Sequence, residues 1–245
     1  MQAAIDNHAI YQEHWPDWVE MKKFGPASRW LRWLVGKSVR EIDASVIRDI
    51  LDVGCGEGTL TAHLSNLFPG AAVRGIDVSA AGVEIAERAY GKIGLAFQSL
   101  PVQEESGLYD LVSAFEVLEH IEDWEPFLAE LARRSRRFLL LSFPTGRMRP
   151  FEVQVGHYRN FAKGEMEAAL AKLGFVPKTI RHAGFPFYSP LYRDLCQLTN
   201  AGSNAVSTGS FGPGKRFISE IFYLAFRLSS RRHWGDQFCG IFERA

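Results

Sequence analysis

The sequence predicts an α/β fold built on a mostly parallel sheet. From Ile50 onward, short apolar runs alternate with amphipathic segments, an order typical of parallel strands joined by crossover helices. The first apolar run is followed by a turn with glycine at three alternate positions, Gly54, Gly56 and Gly58. Glycine lets a backbone approach a ligand closely, because it has no Cβ. We therefore expect a ligand site where the first strands end.

Seven strands are predicted from apolar and β-branched runs bounded by turn residues. They are Ile50 to Val53, Ala72 to Ile76, Leu95 to Phe97, Leu111 to Ala114, Phe138 to Phe143, Phe175 to Ile180, and Gln237 to Phe242. The fifth run is apolar almost throughout, which is typical of a strand buried on both faces.

Helices are predicted between these strands from apolar periodicity, caps and breakers. They run from Trp30 to near Gly36, from Thr59 to about Phe68, from the Ser79 cap to about Tyr90, around Phe127 to Leu131, from Ala162 to Leu173, and around Phe217 to Leu228. Pro69 and Gly70 stop the second of these helices, and Ser79 is a favoured N-cap residue.

The chain divides into four predicted parts: an N-terminal helical cap (1–47), a core (48–182), an insertion (183–235) and the final strand (236–245). Aromatic residues in the cap either cover the edge of the sheet or form a flap over a ligand: Tyr11, His14, Trp15 and Trp18. The insertion is longer than a strand connection requires and predicts a helical lid, with a small-polar loop from Asn200 to Gly214.

Composition favours a cytoplasmic protein that binds no nucleic acid. The 28 basic and 28 acidic residues cancel, which leaves no overall field to attract phosphates. The three cysteines are scattered, which favours a reducing compartment and shows no metal-binding spacing. We find no signal peptide pattern and no run approaching the ~20 apolar residues of a membrane span.

The spacing of the glycines indicates which class of nucleotide-binding site the turn could form. The dinucleotide fingerprint G-x-G-x-x-G would need a third glycine at Thr59, and no phosphate-loop motif occurs. The turn instead reads D-x-G-x-G-x-G from Asp52 to Gly58. Asp77 ends the second strand, where an acid can bind two ribose hydroxyls. The pattern predicts a nucleoside cofactor other than NAD.

Five motifs together resemble the class I S-adenosylmethionine-dependent methyltransferases. They are Asp52 to Gly58 (motif I), Gly75 to Ser79 (the ribose-binding strand end), Tyr109 to Ser113 (the fourth strand), Phe115 to Ile121 after that strand, and His157 to Phe161 on the substrate side. The resemblance covers residues 48–182 and the final strand. It implies a Rossmann-like seven-stranded sheet with helices on both faces and an antiparallel last strand.

The resemblance also implies which residues contact S-adenosylmethionine. At the methionine end, Asp52 would face the ammonium group, with Gly54, Cys55, Gly56 and Gly58 beside it. At the nucleoside end, Asp77 would bind the ribose and Val78 would lie beside the adenine, with Gln98 and Ser99 nearby. Phe115 is the remaining predicted cofactor contact. The family often places an acid after strand three, where this chain has Gln98 and Ser99, so that an amide oxygen or carbonyl would accept the adenine bond. Methyl transfer from a sulfonium needs no enzyme nucleophile, so Cys55 is interpreted as a small spacer.

Methyl transfer is a direct displacement that needs alignment, and a hydroxyl acceptor also needs a base. His120 and His157 are the predicted catalytic bases, because histidine titrates near neutral pH. Predicted acceptor contacts are Glu116, Tyr158, Phe185 and Tyr188. The competing interpretations are structural hydrogen bonds for the histidines and packing for the aromatic residues.

Glu116, Glu119 and His120 would share one face if this segment were helical. With His157 they could hold a divalent metal. The E-x-x-E-H pattern resembles that of small-RNA 2′-O-methyltransferases and ubiquinone-biosynthesis O-methyltransferases, in which a metal organises the acceptor oxygens. The pattern is also common in metal-free members, where one glutamate faces solvent or caps and the histidine lines the pocket. We therefore expect no metal.

The predicted function is methylation of a small-molecule acceptor, at oxygen. Three alternatives compete: a lipid-like or quinone-precursor acceptor at a membrane surface, on which the apolar helix of the insertion would rest; metal-dependent methylation of an RNA 3′ end; and a protein that binds the cofactor without catalysis. Zero net charge argues against the RNA acceptor, because clustered cations drive phosphate binding.

Overall fold

The computed structural model describes residue 15 and residues 18–198 and 210–245, and contains one seven-stranded sheet. The strands are β1 (Asp49–Val53), β2 (Ala72–Asp77), β3 (Leu95–Ser99), β4 (Tyr109–Phe115), β5 (Ser135–Pro144), β6 (Phe175–Ala183) and β7 (Gln237–Arg244). Their order is β3-β2-β1-β4-β5-β7-β6, and β7 is antiparallel to both neighbours. The predicted mostly parallel sheet with an antiparallel last strand is confirmed.

Helices flank the sheet. They are α1 (Pro26–Ser38), α2 (Thr59–Leu67), α3 (Ala80–Tyr90), α4 (Trp124–Arg134), α5 (Pro150–Gln154), α6 (Glu165–Lys172), α7 (Arg193–Leu198) and α8 (Pro213–Ser229). Residues 18–24 are also helical. The Ser79 hydroxyl accepts a hydrogen bond from Gly82 N at 3.2 Å, which confirms the predicted cap of α3.

Two apolar layers cover the two faces of the sheet. Alternate residues of β1 belong to different layers: Ile50 packs with α1, α2 and α3, and Leu51 packs with α4 and α6. Helices therefore lie on both faces, as predicted. Because both layers are largely apolar, the polar side chains of a site are expected at the strand ends and in the loops that follow them.

Register brings the carboxyl ends of three strands together. Asp52 in β1 lies beside Gly75 of β2 on one side and Ser113 of β4 on the other. The turn after β1, the acid that ends β2 and the segment after β4 consequently meet at one edge of the sheet. This edge is where an open α/β sheet binds its ligands.

Several predicted boundaries differ from the structure. Helix α1 continues through Gly36 to Ser38, because a single glycine costs a helix only about 1 kcal/mol when one face is buried. Helix α6 begins at Glu165 and not at Ala162, because Gly164 in the left-handed region precedes it. Strands β3, β4 and β5 each extend beyond their predicted ends, since pairing with neighbouring strands continues past the apolar run.

The segment after β4 corrects a further prediction. Glu116, Glu119 and His120 do not share one helical face: β4 runs to Phe115, Glu116 has φ 56°, and only Leu118–His120 form a 3₁₀ turn. The E-x-x-E-H spacing fits a helix, but the preceding residues are committed to pairing with β5.

The insertion between β6 and β7 consists of an irregular turn (Phe187–Tyr192), α7 and α8. Helix α8 packs against α1 through Phe226 and Trp30, whose rings lie 6.2 Å apart. Residues 200–209 of the predicted small-polar loop lie outside the described residues, so the lid remains a prediction. Within the described ranges, no helix combines the length and the apolar character needed to cross a membrane.

Candidate functional site

The turn after β1 is held against β2 by its own backbone. Gly54 N and Cys55 N both donate to the Ile76 carbonyl, at 2.8 and 3.0 Å. Gly54, Gly56 and Gly58 have φ of 75°, 50° and 84°, the left-handed region that favours glycine. A Cβ at Gly54 would lie 2.4 Å from Val117. The glycines of the predicted motif are therefore required by backbone conformation and by close packing.

Asp77 closes this turn from the end of β2. Its carboxylate accepts hydrogen bonds from Gly56 N and Ser79 N, each at 2.8 Å. The acid therefore sits between the glycine turn and the start of α3. Trp15 lies across the same turn, since a Cβ at Gly56 would come within 2.3 Å of its ring.

Asp52 is buried beneath the turn, with 1% of its surface exposed. Its carboxylate accepts hydrogen bonds from the Thr61 hydroxyl at 2.6 Å and the Ser113 hydroxyl at 2.7 Å. Burial raises the pKa of Asp52 to about 7, and the two hydroxyls oppose this rise without cancelling it. The carboxyl group is therefore poised to ionise near neutral pH.

A cavity of about 510 Å³ extends from the glycine turn to the segments after β4 and β5. Predicted residues in its wall are Asp52, Gly54, Cys55, Asp77, Val78, Phe115, Glu116, His120, His157 and Tyr188. Trp15 and Trp18 line it from the N-terminal side, whereas Tyr11 and His14 lie outside the described residues. A cavity of this size is typical of small-molecule sites.

The remaining predicted site residues lie outside this wall: Gly56, Gly58, Gln98, Ser99, Tyr158 and Phe185. The Gln98 side chain points to Arg74 instead, from which it accepts a hydrogen bond. The cavity is lined after β3 by residues 100–103, which sequence reasoning missed. Their signal was Pro101, which marks the turn where β3 ends.

Glu116 faces the cavity from the end of β4. It is the one residue other than glycine with positive φ among those that the structure describes. One carboxylate oxygen accepts hydrogen bonds from the Ser142 hydroxyl and the Gln237 amide, both at 2.7 Å. Burial raises the pKa of Glu116, and these two donors oppose the rise. The strained backbone is thus fixed by bonds from β5 and β7.

His120, His157 and Glu119 form a cluster at the far end of the cavity. The two imidazole rings lie edge to face with centroids 4.6 Å apart, and His120 Nδ1 lies 3.1 Å from the Gly156 carbonyl. Burial lowers the pKa of His120 to about 3 and of His157 to about 4, so both rings are neutral at neutral pH. Each can accept a proton or a metal ion.

Glu119 is fully buried, and neither carboxylate oxygen has a hydrogen-bond partner among the described residues. Burial raises its pKa well above the usual range. One oxygen of Glu119 and one ring nitrogen each of His120 and His157 lie within 4.8 Å of one another. The structure therefore brings together three of the four predicted metal candidates and separates Glu116 from them.

A buried ion pair, Arg193 with Glu152, lines the cavity beside His157, whose backbone N donates to the Glu152 carbonyl at 2.9 Å. Glu152 also accepts hydrogen bonds from Arg149 N at 2.7 Å and Asn160 Nδ2 at 3.0 Å. Sequence reasoning missed Glu152, because α5 is five residues long and carries no periodic signal. The insertion thus contributes a charged side chain to the cavity wall.

Comparison with known proteins finds that this chain is similar to methyltransferases. A family model described as a methyltransferase domain matches residues 51–136. A ubiquinone biosynthesis O-methyltransferase of Bordetella avium is 32% identical over 130 residues, which are 50% of this chain and 52% of that protein. A trans-aconitate 2-methyltransferase of Deinococcus radiodurans is 39% identical over 82 residues, 34% of this chain and 31% of that protein. The chain thus spans about half or less of the length of these relatives.

The fold is shared with a solved magnesium protoporphyrin IX methyltransferase from Synechocystis with bound SAM. The TM-score is 0.61, the identity is 19%, and the alignment covers 100% of both chains. At this identity the likeness concerns the fold.

Proposed function

This chain belongs to the class I S-adenosylmethionine-dependent methyltransferases, and from that premise we propose that it transfers a methyl group to an oxygen of a small-molecule acceptor. The observation that carries the proposal is one continuous cavity. It is lined by Asp52 and Asp77 beside the glycine turn and by His120 and His157 after β4 and β5. One end suits a nucleoside with a charged amino acid tail, and the other suits an acceptor with a proton to lose.

The cofactor end is proposed from the residues already described. Asp77 would bind the ribose hydroxyls, Val78 and residues 100–103 would border the adenine, and Asp52 would face the ammonium group. S-adenosylmethionine, when bound, supplies an electrophilic methyl carbon. The chain's own residues hold the two reactants in line and exclude water, which is the main requirement of a displacement.

The acceptor end is proposed to hold the nucleophilic oxygen beside the histidines. As the acceptor oxygen takes the methyl group, its proton would pass to an imidazole nitrogen of His120 or His157. Both rings are neutral, so each has an available lone pair. The relatives support oxygen as the acceptor atom, since one of them is a ubiquinone biosynthesis O-methyltransferase.

The experiment that tests this proposal combines binding and turnover. Calorimetric titration should show binding of S-adenosylmethionine and its demethylated product, and no binding of NAD. Labelled cofactor should then transfer its methyl group to members of a panel of phenols and carboxylic acids. Cofactor binding without transfer to any oxygen, nitrogen or carbon acceptor in a wider panel would favour the non-catalytic alternative.

Replacing Asp77 with alanine is expected to weaken cofactor binding by about 1.5–3 kcal/mol, the range for hydrogen bonds to a charged group. The carboxylate would otherwise accept from the ribose hydroxyls. Calorimetry measures the change, and Glu84→Gln, an exposed acid on the adjoining α3, is the matched control. An unchanged affinity in Asp77→Ala would place the ribose elsewhere.

Cofactor affinity is expected to depend on pH through Asp52. Its pKa is about 7 in the free protein, and an ammonium group binds the ionised form. Below pH 7 a proton must leave on binding, so affinity should rise about tenfold per pH unit towards pH 7 and then level off. Titrations between about pH 5.5 and 7.5 keep the ligand's own amine protonated.

Asp52→Asn should bind more weakly and lose most of this pH dependence. Thr61→Val, which removes one hydrogen bond and keeps the carboxyl group, is the matched control and should keep the slope. A wild-type affinity that is constant over the whole range would show that Asp52 does not face the ammonium group.

A second arrangement of the acceptor end is favoured by one observation, the orphaned carboxylate of Glu119. Glu119, His120 and His157 offer an oxygen and two nitrogens, a donor set suited to a divalent transition metal. Such an ion would orient acceptor oxygens without changing the roles proposed at the cofactor end. We retain metal-free catalysis as the proposal, and the chelator test in the Discussion separates the two.

A further inference from the structure

Helix α8 presents an apolar face that is not used in the core. Its exposed apolar side chains are Phe217, Ile218, Ile221, Leu224 and Leu228, which are between 41% and 83% exposed. On a helical wheel these five positions fall within a sector of about 120°, and no charged residue interrupts it. The helix has 17 residues and is therefore about 25 Å long.

The opposite face of α8 already accounts for its attachment to the protein. Phe226 is fully buried and contacts Tyr192 and Tyr188, with ring centroids 5.1 and 5.5 Å away. Ser219 donates a hydrogen bond to the Phe24 carbonyl. The outward face thus remains accessible, within the described residues, after the helix has packed.

Basic residues outnumber acidic residues along α8 and in the segment that follows it. Residues 210–235 contain five basic residues and one acidic residue. The basic residues are Lys215, Arg216, Arg227, Arg231 and Arg232. The single acid, Glu220, forms an ion pair with Arg29 at 2.7 Å, which offsets its charge. The chain as a whole is neutral, so this excess is local.

We propose that α8 docks on an anionic membrane surface, with its outward apolar face in the interface and the basic residues against lipid headgroups. Interfacial helices combine two of these features, a broad apolar sector and cations near it. Trp234, 56% exposed, follows the helix and is of a type enriched at membrane interfaces.

The excess of basic residues near α8 favours an anionic membrane over a second protein as the surface that α8 contacts. A second copy of the chain would bring two basic rims together, and like charges at an interface oppose association. An anionic bilayer complements both the apolar sector and its rim. Docking would place the membrane on the far side of α8 from the cavity, since the inward residue Phe226 packs against Tyr188 and Tyr192 of the cavity wall.

Co-sedimentation of the chain with vesicles tests the proposal. We expect binding to phosphatidylcholine vesicles that contain phosphatidylglycerol, little binding to pure phosphatidylcholine, and weaker binding as salt is added. Ile221→Glu and Leu228→Glu should each lower vesicle affinity about tenfold or more. The matched control is Ile93→Glu, a fully exposed apolar residue between α3 and β3, which should bind like wild type.

Cofactor titration of each variant shows that it is folded and keeps this test separate from the proposed function. No vesicle binding by the wild type would overturn the proposal, as would equal binding by wild type, Ile221→Glu and Leu228→Glu. A concentration-dependent dimer that Ile221→Glu converts to a monomer would also overturn it, in favour of a second copy. Loss of cofactor binding with intact vesicle binding would reject the proposed function alone.

Discussion

Replacing His120 or His157 with glutamine is expected to lower turnover about 10²- to 10⁴-fold, the usual contribution of acid–base catalysis. Both rings line the proposed acceptor end of the cavity, where they contact each other and His120 Nδ1 lies 3.1 Å from the Gly156 carbonyl. Cofactor affinity should therefore change little. A kcat measurement at saturating cofactor, together with calorimetry, separates the two effects.

The pH dependence of kcat supplies a second readout. A base must be unprotonated to act, and burial lowers the pKa of His120 to about 3 and of His157 to about 4. At saturating cofactor, kcat should hold as the pH falls through 6.5, where an ordinary histidine would become protonated. A loss centred near pH 6.5 would mean that the cluster is more solvated than the structure shows.

The matched control for the histidine variants is His63→Gln. His63 lies in α2, and its Nε2 is 2.9 Å from the Arg32 carbonyl, outside the cavity wall. It should turn over like wild type. Normal turnover in both cluster variants would leave alignment as the catalytic device.

A chelator distinguishes a base from a metal ligand. We expect EDTA to leave turnover unchanged, since two neutral imidazoles suffice to accept a proton. If Glu119, His120 and His157 hold an ion, EDTA should abolish turnover and magnesium or manganese should restore it. Glu119→Gln would then lose activity along with the histidine variants, and acceptors with vicinal oxygens would be favoured.

The second large effect concerns stability. Arg193→Met is expected to lower the free energy of unfolding by about 3–5 kcal/mol, because it leaves the buried carboxylate of Glu152 without its cation. Both side chains are nearly inaccessible, so water cannot replace the lost partner. Urea unfolding measures the change.

Two controls define the interpretation of Arg193→Met. The double variant Glu152→Gln with Arg193→Met should recover most of the loss, because it removes both buried charges. Arg147→Met removes an exposed partner of Asp194 and should cost less than about 1 kcal/mol. If Arg193→Met unfolds like wild type, the pair does not contribute to stability as its burial indicates.

Local signals predicted much of the fold and of the turn. Strands β1, β2 and β7 and helices α2 and α3 begin or end where their apolar runs, caps and breakers indicate. Helix α5 and the length of β5 were not predictable in this way. The first has too few residues for a period, and the second depends on pairing with β7.

The sequence by itself determined the sheet and the glycine turn, because both depend on local signals. Apolar periodicity and the preference of glycine for positive φ can each be recognised from a few neighbouring residues. Only the tertiary structure decided how the E-x-x-E-H segment is used. Strand pairing carries Glu116 to Ser142 and Gln237, while the turn after it carries Glu119 and His120 to His157. These partners lie far apart along the chain. The chemistry of Glu116, Glu119 and His120 therefore depends on burial and on long-range contacts, which no local sequence pattern encodes.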